Sequence, residues 1–282
     1  MIRPDCPTIV SGTSPDTENP RTEPPALKHR ILIANDDGIH APGLAVMERI
    51  AAALSDDVWV VAPDFERSGA SRSLSLADPI RVNRLGEKRF SLLRGTPTDC
   101  VIVGLREIMK EAPPTLVLSG VNRGANLAEE LTYSGTVAVA MEAATMGIRS
   151  ISMSQLFGKG EAVKWATAEA HAPRVVQALL ALPFQRGVFH NVNFPDIEAS
   201  AVKGVRAARQ GNWARIGVDI HGRTDARGFD YAWLAFFHEV GEPPEDTDLG
   251  AVRHGFISVT PLHADITHRD GLLPLEKALA SL

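Results

Sequence analysis

Cysteine is nearly missing: the 282 residues contain two, Cys6 and Cys100. Two so widely separated thiols build neither a disulfide framework nor a zinc knuckle, and a reducing, cytoplasmic setting fits them best. No apolar run approaches the roughly 18 residues that a membrane helix needs, so no membrane association is expected. Basic residues are not in surplus either, with 29 Lys and Arg against 34 Asp and Glu and a formal net charge of -5. A chain of that balance is not expected to hold a nucleic-acid polymer, although a small nucleotide can still meet a locally positive site. Residues 1–28 lack apolar periodicity while holding Pro4, Pro7, Pro15, Pro20, Pro24 and Pro25. They read as a disordered extension without the apolar stretch of a secretory signal or the Arg-rich pattern of a presequence.

What is present from residue 29 onward is the pattern of one α/β domain, with 44% hydrophobic residues, enough to bury a large core. Short apolar runs at 31–34, 58–62, 115–119 and 150–154 alternate with helical spacing at 43–54, 99–110, 136–146 and 162–182. That alternation predicts a Rossmann-like, mainly parallel sheet covered by helices on both faces. Residues 80–84 and 90–93 around Gly86 read as a hairpin excursion. The part from about 185 to 282 is phased differently, with strands expected at 188–194, 202–209, 229–236 and 257–260, the last closed by Pro261, and a final helix near 273–282. It is read as an α+β extension for oligomer contacts or for shaping a pocket, inside a single 29–282 unit.

In an open parallel sheet, ligands bind beyond the carboxyl ends of the strands. The first strand delivers Asn35-Asp36-Asp37-Gly38, the second Arg67-Ser68-Gly69-Ala70-Ser71, and the third Ser119-Gly120-Val121-Asn122-Arg123-Gly124. Carboxylates, hydroxyls and amides without clustered His or Cys suit a hard cation such as Mg²⁺ or Mn²⁺. Tyr133-Ser134-Gly135-Thr136 opens a helix, where backbone N–H groups, hydroxyls and the dipole favour an anion such as phosphate. Taken singly, each piece has an ordinary reading: a capped turn for Asp36-Asp37, a polar loop for Ser68, a left-handed turn for Asn122, an N-cap for Ser134. Three loops after consecutive strands weigh more, because they converge at one sheet edge. Gly38 to Gly43 has Walker-A glycine spacing, but Leu44-Ala45 stand where Lys and Ser/Thr are required, and no G-x-G-x-x-G follows the first strand.

The stretches ILIANDDGIHAPGL, VVAPDFERSGASRSLSL, GTPTDCV, LVLSGVNRGANL, YSGTVAVAMEA, HNVNFP and GFISVTPLHADIT occur in the order found in the SurE (survival protein) nucleotidases, which the chain resembles from Arg30 to about Thr267. The resemblance implies a divalent-metal-dependent phosphatase acting on nucleoside 5′- and 3′-monophosphates, in some members also on short polyphosphate. It implies one Mg²⁺ or Mn²⁺ per subunit held by Asp36, Asp37, Ser68 and Asn122. Asp36, Asp37 and Asn122 are then the catalytic residues, and Asn122, Ser134, Gly135 and Thr136 the phosphate contacts. It also implies a homodimer or homotetramer built by exchange of the C-terminal extension. Residues 127–132 and Met141-Glu142-Ala143 depart from the family pattern without touching an implied ligand, and residues 211–248 match little of it and are expected at the rim over the base. Two other classes compete: a receiver-like regulatory domain and a catalytically silent binding protein. A receiver would place an Asp after the third core strand and a Lys after the fifth, where this chain has Asn122 after the third and Ser154 after the next.

Overall fold

Residues 29–239 and 241–280 are described by a computed structural model; the N-terminal stretch read as an extension and the last two residues of the expected final helix lie outside them. The apolar run at the start of the domain forms β1 (Arg30–Ala34), in which every residue after the first is buried. A strand with both faces apolar belongs in the middle of a covered parallel sheet, and β1 lies between β2 (Asp57–Pro63) and a later strand, parallel to both. Its alternation sorts the two faces. Ile31 and Ile33 pack with Leu44, Met47 and Ile50 of α1 (Pro42–Ala52), and Leu32 and Ala34 pack with Cys100, Val101 and Val139 on the other side.

Further along come β3 (Arg81–Arg84) and β4 (Arg89–Leu93), an antiparallel pair whose second strand adds in parallel to β2. The expected excursion is thus one edge of the main sheet. Helix α2 (Pro97–Val103) begins with a capping box between Thr96 and Asp99. The longer helix expected over 99–110 changes character at Gly104–Ile108, a π turn closed by Met109 N–H donating to Gly104 O at 2.9 Å. Gly104 abuts Leu32, where a Cβ would come within 2.9 Å of its side chain.

β5 (Leu116–Arg123) is longer than its apolar run suggests. It pairs with β6 (Arg149–Gln155) through Ser119, loses register over Gly120 and Val121, and pairs again from Asn122. Gly120 takes φ +115° and passes so near β6 that a Cβ would fall 2.3 Å from Met153 O. Asn122, expected in the loop after the strand, therefore stands within it. Between these strands lies α3 (Gly135–Thr145), and α4 (Trp165–Leu180) covers the α1 face.

The C-terminal third is less separate than its phasing suggests. β7 (Val188–Phe194) joins the sheet parallel to β6. The strand expected over 202–209 is only β8 (Val205–Ala207) at the sheet edge. Two elements have no counterpart in the sequence reading: β9 (Arg215–Thr224), which pairs with β10 (Asp230–Glu239) as a separate antiparallel hairpin, and α5 (Asp248–Arg253). β11 (Ile257–His263) runs antiparallel to β7 and continues through Pro261. Only Ile257 to Val259 pair with β8, so the proline falls where β11 has a partner on one side and costs little. The nine-stranded order is β3-β4-β2-β1-β5-β6-β7-β11-β8. The chain ends in α6 (Leu272–Leu279), none of whose residues is buried. No described helix is long and apolar enough to cross a membrane.

Candidate active site

Beyond the carboxyl end of β1 the chain turns through buried Asn35, whose amide donates to Gly38 O at 3.0 Å. This turn delivers Asp36 against the first turn of α3. Thr136 Oγ1 donates to Asp36 Oδ1, and Gly135 leaves no room between helix and carboxylate: a Cβ there would lie 2.7 Å from Asp36 Cβ. The positive end of α3 favours the carboxylate. Burial nonetheless wins, pushing the Asp36 carboxyl up to about 6; the Thr136 hydrogen bond works against that and the neighbouring Asp37 adds to it. Asp37 is also raised, first by burial and then by Glu66, while the Arg123 N–H donating to Asp37 Oδ2 at 3.2 Å and the Arg123 charge oppose the shift.

The loop after β2 is laid over this pair. Arg67 N–H donates to Asp36 O at 2.7 Å, and Ser71 Oγ donates to Thr132 O at 2.7 Å, tying the loop to the turn before α3. Between these anchors Ser68 is exposed and donates to Glu66 Oε1 at 2.8 Å. On the β5 side, Asn122 Nδ2 donates to Gly124 O at 2.9 Å, which leaves its amide oxygen as the group offered to a ligand. Asp36, Ser68, Asn122 and Ser134 line one cleft of about 280 Å³. Hollows of about 330 and 640 Å³ beside α4 and β11 are larger but mainly apolar, and hold no comparable oxygen donors.

The expected residues are thus unequally placed. Asp37 is not among the residues lining the cleft and is held by the Arg123 backbone N–H. Ser134 caps α3 by accepting from Val137 N–H at 3.0 Å and still faces the cleft. Gly135 and Thr136 are buried beneath Asp36. Arg72 is bound to Glu142, with 2.6 Å between Nη2 and Oε2, which leaves Arg123 as the arginine lining the cleft.

Sequence reasoning missed part of the wall. Asn126, Glu130, Tyr133 and Phe236 complete it. Tyr133 and Phe236 meet as a tilted pair with ring centroids 5.1 Å apart. His238, two residues along β10, lies 3.1 Å from Glu130 and stacks on Trp213 at 4.0 Å. Burial raises the Glu130 carboxyl, opposed by His238. Asn126 and Tyr133 stood inside recognised stretches; Phe236 closes the strand expected at 229–236, in the segment expected at the rim, and His238 lies just beyond it, but neither was singled out as a site residue.

A cation fits the residues present. Two adjacent carboxylates, one fully buried and both pushed up, make no ion pair with a basic side chain among the described residues. Such a pair needs positive charge to stay ionised. Among the described residues no group of three His, Cys, Asp or Glu gathers, here or elsewhere, so a cation at this pair would also draw on the hydroxyl and amide oxygen beside it, which are donors for a hard cation.

Comparison with known proteins gives one answer. The family model described as Survival protein SurE matches residues 31–216. A 5′-nucleotidase SurE from Methylorubrum extorquens is 53% identical over 240 residues, covering 84% of this chain and 94% of its own. That of Parvibaculum lavamentivorans is 49% identical over 255 residues, covering 90% and 92%. Among solved structures, the SurE protein from Aquifex aeolicus superposes with a TM-score of 0.75 at 34% identity, covering 88% of this chain and 98% of that one.

Proposed function

The chain belongs to the SurE family, and from that premise we propose that it is a phosphomonoester hydrolase, a 5′-nucleotidase, whose activity depends on one Mg²⁺ or Mn²⁺ per subunit. The observation that carries the reading is the pair Asp36 and Asp37, which make no ion pair with a basic side chain among the described residues, only the Arg123 charge acting on Asp37, and which stand beside oxygen donors on a cleft of nucleotide scale. Asp36, Asp37, Ser68 and the amide oxygen of Asn122 would hold the cation, which supplies charge neutralisation at the phosphoryl oxygens.

The remaining chemistry is carried by the chain. The phosphoryl group sits between Asn122 and the start of α3, with Ser134 on the cleft wall. Gly135 and Thr136 contribute through the positive helix end that they form. Thr136 also fixes the orientation of Asp36 through its hydroxyl. Attack by water forms the new P–O bond and breaks the bond to the sugar oxygen. Tyr133 and Phe236 offer an apolar wall to the nucleoside. The substrates are nucleoside 5′-monophosphates, with 3′-monophosphates and short polyphosphate accepted by the same cleft. We place the protein in the cytoplasm, on the strength of the buried unpaired thiol of Cys100, and as a homodimer or homotetramer joined through residues 185–282.

Protein stripped with EDTA should release no phosphate from AMP or p-nitrophenyl phosphate and should recover on addition of Mn²⁺ or Mg²⁺. Asp36→Asn should lose at least about a hundredfold in kcat, the range seen when a key electrostatic group is removed. Release independent of metal, or a fully active Asp36→Asn, would sink the proposal.

A further inference from the structure

Ser68 differs from the other residues assigned to the cation, because its side chain stands on the surface while its backbone is held. Arg67 N–H donates to Asp36 O at 2.7 Å, and Ala70 N–H donates to Arg67 O at 3.0 Å, which closes a turn over Arg67-Ser68-Gly69-Ala70. Gly69 at the third turn position takes φ +75°, where glycine is favoured. A Cβ on Gly69 would meet nothing within 4 Å, so the apex of the turn gives the neighbouring side chain no wall to lean on. Among the described residues the Ser68 hydroxyl makes one hydrogen bond, to Glu66 Oε1 at 2.8 Å. Its direction therefore depends on Glu66.

That bond has one polarity. A carboxylate offers only acceptors, so the hydroxyl must donate. With its proton committed to Glu66, the Ser68 oxygen has lone pairs alone to present to the cleft, which it lines with Asp36 and Asn122. A hard cation needs the hydroxyl in that state. By drawing charge from the oxygen it would also make the O–H a stronger donor, so the bond to Glu66 and the bond to the cation reinforce each other. Glu66 does not gather with Asp36 and Asp37 into a three-carboxylate site. It does act on Asp37, whose carboxyl is raised first by burial and further by the Glu66 charge. Two routes thus lead from Glu66 to a cation, one through the Ser68 hydroxyl and one through space. Glu66 is exposed, and water and salt screen an exposed charge, whereas a direct hydrogen bond is little affected by them. The route through Ser68 is the stronger.

Resting on the metal-dependent reading above, we propose that Glu66 is a positioning residue that turns the lone pairs of the Ser68 hydroxyl toward the cation and so sets the affinity of the site for it. The test titrates Mn²⁺ by calorimetry into the metal-free native chain, Glu66→Ala, Glu66→Gln, Ser68→Ala and the double variant Glu66→Ala with Ser68→Ala. Glu66→Ala should raise the Kd for Mn²⁺ by about ten- to hundredfold, the range for losing a group that orients a metal ligand. In the Ser68→Ala background the same change should move Kd by less than about twofold, because the residue through which it acts is gone. Glu66→Gln drops the charge but keeps an acceptor oxygen, and should bind Mn²⁺ about three- to tenfold more tightly than Glu66→Ala, the range for one neutral hydrogen bond. Both side chains are exposed, so the metal-free melting temperatures should stay native. Unchanged or tighter Mn²⁺ binding by Glu66→Ala would overturn the proposal. An equal loss with and without Ser68, or a Glu66→Gln no better than Glu66→Ala, would also overturn it, since either outcome shows that the charge acts through space. Absence of Mn²⁺ binding by the native chain would instead defeat the metal-dependent reading itself, and this proposal with it.

Discussion

At the scale of single residues, Asp36 sets stability against activity. Its carboxyl is raised from 3.8 to about 6, chiefly by burial, so the folded chain binds a proton that the unfolded chain has released. Below pH about 4 the group is neutral in both states and costs nothing. Between about 4 and 6 the metal-free protein loses stability as pH rises, and above about 6 the full penalty stands, on the order of 3 kcal/mol. Asp36→Asn in EDTA should therefore be more stable than the native chain at pH 7.5 by a similar amount, with the difference vanishing near pH 4. Chemical denaturation at both pH values checks this, and a destabilised variant at pH 7.5 would contradict it. Mn²⁺ should reverse the order, since a ligand at a thousandfold excess over its Kd adds roughly 4.1 kcal/mol to the native chain. The variant should gain little. Gly135 tests the same junction from the helix side. A Cβ there meets Asp36 and Pro97 at 2.7 to 2.9 Å, so Gly135→Ala should cost about 1–3 kcal/mol by overpacking and lower activity as well. An alanine variant with native melting and native turnover would show that the helix start yields freely.

At the scale of elements, the sequence announced whatever had a period. β1 and β2 are apolar runs, β6 and β7 alternate apolar with buried Ser or Asn, and their positions and that of α3 follow from those patterns and from Ser134 as a cap. What escaped had no such signature. β9 escaped although its partner β10 had been expected at 229–236, because the hairpin buries little on either face: Ile220, Trp233 and Leu234 are all exposed. The tertiary contacts that hold the hairpin in place, Phe236 on Tyr133 and His238 on Glu130, join residues a hundred positions apart and leave no local pattern. Asn122 was assigned to a loop because Gly120 hides the re-entry of β5 into its ladder. The metal-site candidates themselves were legible, because each followed an obvious strand. The hairpin's contribution is open to direct test: Phe236→Ala should raise KM for AMP by about three- to tenfold with kcat retained, the range for one aromatic contact. Unchanged KM would remove β10 from the substrate wall.

At the scale of the whole molecule, the sheet was legible as a class before its extent was. The C-terminal third looked foreign because its strands do not alternate with helices, yet β7 continues the parallel order and β11 closes beside it in reverse. Like the β9–β10 hairpin, α6 stays apart from the core among the described elements, and it poses an energetic question. A helix of eight residues is too short to persist alone in water, because helix nucleation is costly and few hydrogen bonds repay it. Leu272, Leu273, Leu275 and Leu279 are nevertheless exposed between 46 and 59%. Covering such leucines returns about 25 cal/mol for each Å² of apolar surface, enough to fix the helix if a second copy of the chain supplies the opposite face. The assembly proposed through residues 185–282 would give α6 the surface that its own subunit withholds. Replacing Leu275 and Leu279 together by Glu should reduce the sedimenting species to a monomer without changing the circular dichroism of the core, since neither side chain is buried in its own subunit. A variant that sediments with the native mass would exclude α6 from the interface and turn attention to the exposed face of β9 and β10.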